Sequence, residues 1–170
     1  AAIRDDNPVL FFEHKQLYRT RWPVPDAYRN AGHVGEFGRA AVRREGTQLT
    51  VVATLTMVHH ALAAAQALAS EGLSVEVIDP RTLVPFDVDT VVASVRKTGR
   101  LLVVDEAYLN FGIQAEVIAA VTERAFDALK AAPRRLGNPG VPVPFAPPLQ
   151  DEVLPGRARI EAAIREMLSR

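Results

Sequence analysis

Apolar residues along this chain fall into short dense runs separated by stretches of helical spacing. Leu49-Thr50-Val51-Val52-Ala53-Thr54 is β-branched and apolar from end to end, the pattern of a strand buried on both faces. Ser74 to Asp79 and Leu101 to Asp105 repeat it. Between the first two runs, Val58 to Ser70 is rich in Ala and Leu, with Val58, Leu62, Ala65 and Leu68 at helical spacing and Gly72 just past the end, where a left-handed residue stops a helix. Asp87 stands as the N-cap of a helix from Val88 to Lys97, which Gly99 terminates. A longer helix is expected over about Ile113 to Lys130, a short strand at Arg134-Arg135-Leu136, and an amphipathic helix over Arg157 to Leu168 with Ile160, Ala163, Ile164 and Met167 on one face. Strands alternating with helices through short joints call for parallel strands and right-handed crossovers. The expected fold is therefore α/β: an open, mostly parallel sheet in a three-layer α/β/α sandwich of the Rossmann or flavodoxin kind.

Two segments break this rhythm. Val9-Leu10-Phe11-Phe12 reads as one more strand buried on both faces, but the residues after it are polar and irregular. Arg21-Trp22-Pro23-Val24-Pro25-Asp26 carries two prolines that block helix and central strand alike, so it is expected to lie on a surface as a linker, with Trp22 as an anchor. Residues 139 to 148 hold five prolines and are expected to form a stiff, irregular arm. The apolar content of that arm, Val141, Val143 and Phe145, fits packing over this domain or a neighbour.

Composition narrows the function classes. With 170 residues the chain has room for one domain with a proper core and a short extension. Twenty basic residues balance twenty acidic ones, which argues against nucleic acid or an anionic membrane as the main partner. There is no cysteine, so disulfides, thiolate nucleophiles and Cys-ligated zinc are out of reach, and a reducing cytoplasm is the natural compartment. No apolar run approaches the ~18 residues of a membrane span. The chain opens on Ala1-Ala2-Ile3-Arg4 and runs straight into structure-like sequence, so the natural protein is expected to continue upstream.

Candidate chemistry is sparse. The joint after the first strand, Leu55-Thr56-Met57-Val58-His59, lacks the glycines that let a dinucleotide pyrophosphate approach the backbone. His59 and His60, near the start of the first helix, are either acid/base or anion-binding groups or ordinary helix-start residues hydrogen-bonded to backbone or facing an interface. Glu13, His14, Lys15, Tyr18 and Arg19 form a polar cluster after the first apolar run, at a place where α/β proteins gather catalytic groups; it is otherwise the lining of an interdomain seam or a charged strand exit. Asp105 and Glu106 end a strand and, with Glu116, are either a carboxylate set for proton transfer or helix caps and ion-pair partners, with Arg81 and Arg100 available. Asp5 and Asn7, two apart, either point both oxygens at one hard cation or form a turn, for which Asp5-Asp6-Asn7-Pro8 is strong chemistry.

The ordered set of these motifs resembles the beta subunit of thiamine-diphosphate-dependent 2-oxo acid dehydrogenases, in its C-terminal, transketolase-like domain. The segments that carry the likeness are Asp5 to Arg19, Ala40 to Gly46, Met57-Val58-His59, Val77 to Leu83, Lys97-Thr98-Gly99-Arg100, Asp105-Glu106-Ala107, Pro142 to Pro148 and Leu154-Pro155. The resemblance implies that residues 1–20 close a preceding pyrimidine-binding domain, 21–37 form a linker, and 38–170 form the C-terminal domain, which serves subunit assembly. It implies that catalytic and cofactor-binding residues lie upstream and that none is in this fragment, which alone is inactive. Thiamine diphosphate and Mg2+ would be bound by the full heterotetramer. The implied partners are an alpha subunit, a second beta subunit (α2β2) and the dihydrolipoyl acyltransferase core. Some members hold a structural K+ near the segment matched by Asp5 and Asn7. Gln114 stands where the family commonly has glycine. A related single-chain transketolase or deoxyxylulose-phosphate synthase, or a non-catalytic interaction module, are the alternatives.

Overall fold

The computed structural model describes residues 1–24, 26–29 and 32–169. The strands are β1 (Ala41–Arg44), β2 (Leu49–Ala53), β3 (Val75–Asp79), β4 (Leu101–Tyr108) and β5 (Arg134–Asn138); the helices are α1 (Asp26–Arg29), α2 (Leu55–Ala69), α3 (Val88–Thr98), α4 (Ile113–Ala125), α5 (Pro147–Val153) and α6 (Arg157–Leu168). One five-stranded sheet runs β1-β3-β2-β4-β5. β2, β3, β4 and β5 are parallel, and β1 adds an antiparallel edge beside β3.

Each central strand is buried on both faces, so its residues feed two separate cores in alternation. Leu49, Val51, Ala53, Val75, Val77, Leu102 and Val104 meet α2 and α6. Val52, Ile78, Leu101 and Val103 meet α3 and α4. The expected three-layer α/β/α sandwich results. On α6, Ile160, Ala163, Ile164 and Met167 are buried as the helical period requires.

Several local expectations need correction. Val9–Phe12 is not a strand: Leu10, Phe11 and Phe12 are 84%, 76% and 70% exposed, and no described strand pairs with them. An apolar run supplies the propensity for a strand, but a ladder also needs a neighbouring backbone. β1 has no counterpart among the expected strands, because the alternate positions of Ala41-Val42-Arg43-Arg44 carry little apolar signal. The helix expected to reach Lys130 ends at Ala125 and tightens into a 3-10 turn over Phe126–Ala128. The arm is irregular only to Ala146; Pro147 and Pro148 then open α5, since proline at the first helical positions gives up no hydrogen bond.

Crossovers place the chemistry. The chain passes from β2 through α2 to β3 on one side of the sheet, then from β3 through α3 to β4 on the other. The strand order therefore reverses between β2 and β4, and the crevice at their carboxyl ends is where open α/β sheets bind ligands or partners.

Candidate functional site at the carboxyl edge of the sheet

At that reversal, Thr54 caps β2 and donates its hydroxyl to the Asp105 carboxylate of β4. The other oxygen of Asp105 accepts from the Ala107 amide at 2.6 Å. Thr54 also occupies the N-cap position of α2 but makes no side-chain cap to it. Asp105 thus lays a negative charge near the open end of a 15-residue helix, where the exposed amides favour it. The next residue, Leu55, is held at φ 45°, an uncommon conformation for a branched side chain.

Glu106 turns to the N-terminal segment: His14 Nε2 lies 2.7 Å from its carboxylate. His14 also accepts from the Gln16 amide at 3.3 Å and so caps the short turn Lys15–Arg19, while Tyr18 donates to Glu13 at 2.5 Å. That hydrogen bond, chiefly, holds the Tyr18 phenol above its usual pKa. The polar cluster seen in the sequence is therefore a latch between the N-terminal segment and β4. Asp105 and Glu106 do find partners, Thr54 and His14, in place of the arginines. Arg81 gives its backbone amide to Asp79, and Arg100 donates to the Met167 carbonyl of α6 at 3.0 Å. Glu116 is exposed in the first turn of α4 and does not join a carboxylate set.

A second latch lies at the end of β3. The Trp22 ring stacks on His59, with centroids 4.3 Å apart and planes 15° from parallel. Both line a groove of about 360 Å3 with Pro23 and Arg43. Asp79, the last residue of β3, lies 3.6 Å from Arg43. Burial pushes the Asp79 carboxyl up, against the lowering pull of the Arg81 amide and of Arg43. Burial, with Arg43 next, holds the His59 imidazole below its ordinary value. His59 is a structural partner of Trp22 in the segment before β1, and its acidic neighbour Asp79 comes from β3, out of reach of local sequence reading.

The loop Asp79–Asp87 has a third task. The Thr82 hydroxyl accepts from the Gly38 amide at 3.0 Å and donates to the Pro85 carbonyl at 2.8 Å. Asp87 caps α3 through Thr90 and also accepts from the Ala40 amide at 2.9 Å. The loop thereby fastens the chain at Gly38 and Ala40, where it enters β1. Gly38, at φ 70° with the Pro85 ring packed over it, is required there.

Lys97-Thr98-Gly99-Arg100 sits at the opposite, amino edge of the sheet. Lys97 is paired with the buried Glu76 of β3 and lies 3.0 Å from Glu45. Thr98 and Ser94 both bond Thr50 of β2, at 2.7 and 2.6 Å. Gly99 takes φ 76° under Lys130. These residues staple α3 to the sheet.

Asp5 accepts from the Asn7 amide at 2.9 Å and from its side-chain nitrogen at 3.0 Å. The segment is a turn, and these bonds, backbone first, lower the Asp5 pKa. Among the described residues no three His, Cys, Asp or Glu gather as a metal site, and no helix is long and apolar enough to cross a membrane.

Comparison with known proteins agrees with the fold. A family model described as the transketolase C-terminal domain matches residues 38–160. The chain is 45% identical over 167 residues to the acetoin:2,6-dichlorophenolindophenol oxidoreductase subunit beta of Cupriavidus necator, which is 98% of this chain and 48% of that one. It is 45% identical over 147 residues to the pyruvate dehydrogenase E1 component subunit beta of Bacillus subtilis, 86% and 44% of the two chains. A solved structure, a split-gene transketolase in an inactive beta4 tetramer, matches with a TM-score of 0.69 and 28% identity over 79% of this chain and 44% of that one. The chain thus spans about half the length of the curated relatives it matches.

Proposed function

The chain belongs to the transketolase C-terminal domain family, and from that premise we propose that it is the C-terminal assembly domain of the beta subunit of a thiamine-diphosphate-dependent 2-oxo acid dehydrogenase. Residues 1–20 end the preceding domain, 21–37 are the linker and 38–170 the C-terminal domain. The whole protein, with an alpha subunit in an α2β2 heterotetramer, decarboxylates a 2-oxo acid oxidatively and passes the acyl group to lipoamide on a dihydrolipoyl acyltransferase core.

The observation that supports this reading is the exposed apolar surface. Phe111 and Phe145, in the segments after β4 and β5, are fully exposed, and Leu10, Phe11 and Phe12 are nearly so. Aromatic and large apolar side chains are enriched where one chain covers another. The His14–Glu106 and Trp22–His59 latches fix the N-terminal segment against the same carboxyl edge of the sheet.

The described residues at the α2 entrance offer the cofactor little. The α2 entrance has no glycine turn, Asp105 already occupies it, and no metal-ligating set for Mg2+ gathers among the described residues. No step of the reaction is therefore assigned to these side chains. A structural K+ at Asp5 and Asn7 fits in part: one oxygen of each side chain is left over by the turn, and a hard cation, which takes about six or more, must draw the others from elsewhere in the assembly.

The test is turnover by the full-length protein with its alpha partner. Dichlorophenolindophenol reduction should depend on added thiamine diphosphate with acetoin or with pyruvate, the substrates that the relatives' names carry. Absence of cofactor-dependent reduction with either, and with branched 2-oxo acids, would overturn the reading.

A further inference from the structure

We propose that the junction between the linker and the domain holds a binding site for a small oxyanion, a phosphate or a short carboxylate, clasped by Arg81 and Arg39. The site is a cavity of about 150 Å3 lined by Tyr28, His33, Val34, Gly35, Glu36, Arg39 and Arg81. It opens to solvent, and its small volume favours a small ligand. Drug-sized and nucleotide ligands occupy roughly 300–1,000 Å3, so this space admits a small ion with a few waters.

The lining decides the charge. Two guanidiniums meet one carboxylate, Glu36, and that one is engaged with Arg39 at 3.3 Å in an exposed pair, a contact of little strength in water. Among the described residues no carboxylate comes within ion-pair distance of the Arg81 guanidinium, though the Asp79 carboxylate acts on it from farther off; its end passes beside Gly35, at 3.5 Å from where a side chain there would begin. The planar fork of arginine matches oxyanions two bonds at a time.

Backbone geometry fixes the aim of Arg81. It sits at φ 61°, a conformation that costs a non-glycine residue and persists only where the surroundings enforce it. Asp79 enforces it by accepting the Arg81 amide at 3.0 Å, and the Thr82 amide returns to the Pro80 carbonyl at 2.6 Å. His33 is seated by the edge of Tyr28, with ring centroids 4.4 Å apart at 63°. Tyr28 and His33 come from the linker, Arg81 from the loop after β3, and Arg39 from the start of the domain. An ion held among them ties linker to domain, so its occupancy governs how firmly the two are joined. The site stands on this geometry and does not rest on the dehydrogenase reading.

The test is calorimetric titration of the full-length protein with inorganic phosphate and, in a second arm, with acetate, each against sodium chloride of equal ionic strength. Saturable binding is expected, stronger for whichever oxyanion the site takes. Arg81→Gln should weaken it about tenfold or more, the loss of a charge-assisted bond pair. Arg39→Gln, a change at an exposed side chain that spares the fold, should weaken it as well, while Arg19→Gln, outside the cavity, should leave it unchanged. No saturable heat beyond the chloride control with either ion, or the same affinity in Arg81→Gln and Arg39→Gln as in the parent, would overturn the site.

Discussion

Glu76 shows how one residue can hold a layer in place. Its carboxylate is buried between the sheet and α3, paired with Lys97 and bonded to the Gly46 amide at 3.1 Å. Burial pushes its pKa up, but the bonds from Lys97, Ser94 and Gly46 outweigh burial and hold it below the ordinary 4.5. A depressed folded pKa means the pair stabilises the fold above about pH 4.5, and that contribution is lost as the pH falls through the folded value. Lys97→Met strands a buried carboxylate and should cost roughly 2–3 kcal/mol, below the ~3–5 of a fully buried pair because Lys97 keeps contact with water. Denaturant unfolding at pH 7 checks the magnitude. The gap between parent and variant should narrow below pH 4.5, and a gap constant with pH would contradict the role. Little of this is legible in the sequence: Lys97 and Arg100 stand out as a motif, but Glu76 lies unmarked inside an apolar strand. Gln114 is the converse. Where glycine is common, its side chain lies fully buried, and its amide reaches the Asp105 and Ala107 carbonyls at 3.4 and 3.3 Å. Gly137, against which that amide packs, makes the room.

Elements whose signals are local are the readable ones. Asp87 and Gly99 mark the ends of α3 as the sequence indicates, because caps and left-handed stops act within a few residues. Asp87→Ala should cost about 1–2 kcal/mol, toward the upper end because the Ala40 amide loses its acceptor too; equilibrium unfolding measures it. β1 and the N-terminal segment escape such reading, because an edge strand and an unpaired run are decided by neighbours. The Trp22–His59 stack joins the two kinds of evidence: proline and tryptophan mark a surface linker, but only the fold supplies the histidine. With the His59 pKa lowered by burial and by Arg43, and raised in part by Asp79, the stack is at full strength above the ordinary value of 6.5. It weakens as the pH falls from there through the folded pKa. The fluorescence difference between parent and Trp22→Phe, in the full-length protein, should therefore change with pH below 6.5 and stay flat above it. A flat difference throughout would separate His59 from the linker. Trp22→Ala should also speed tryptic cleavage after Arg29 and Arg39; unchanged cleavage rates would show that the stack does not hold the linker.

For the whole molecule, the repeated β–α order is enough to give the three-layer sheet, because buried parallel strands announce themselves by unbroken apolar runs. The position of the reversal between β2 and β4, and hence the meeting of Thr54, Asp105, Glu106 and His14, depends on strand order, which no local pattern encodes. The resulting carboxyl edge, latched by His14–Glu106 and Trp22–His59 and flanked by exposed Phe111 and Phe145, is the surface that the proposed assembly role calls on. The measurement that tests this most directly is the binding of thiamine diphosphate by calorimetry, to the full-length protein with its alpha partner and to residues 1–170 alone. The β-subunit assembly role predicts saturable, Mg2+-dependent binding to the former and none to the latter. Binding by residues 1–170, or its absence from the complete assembly, would contradict it.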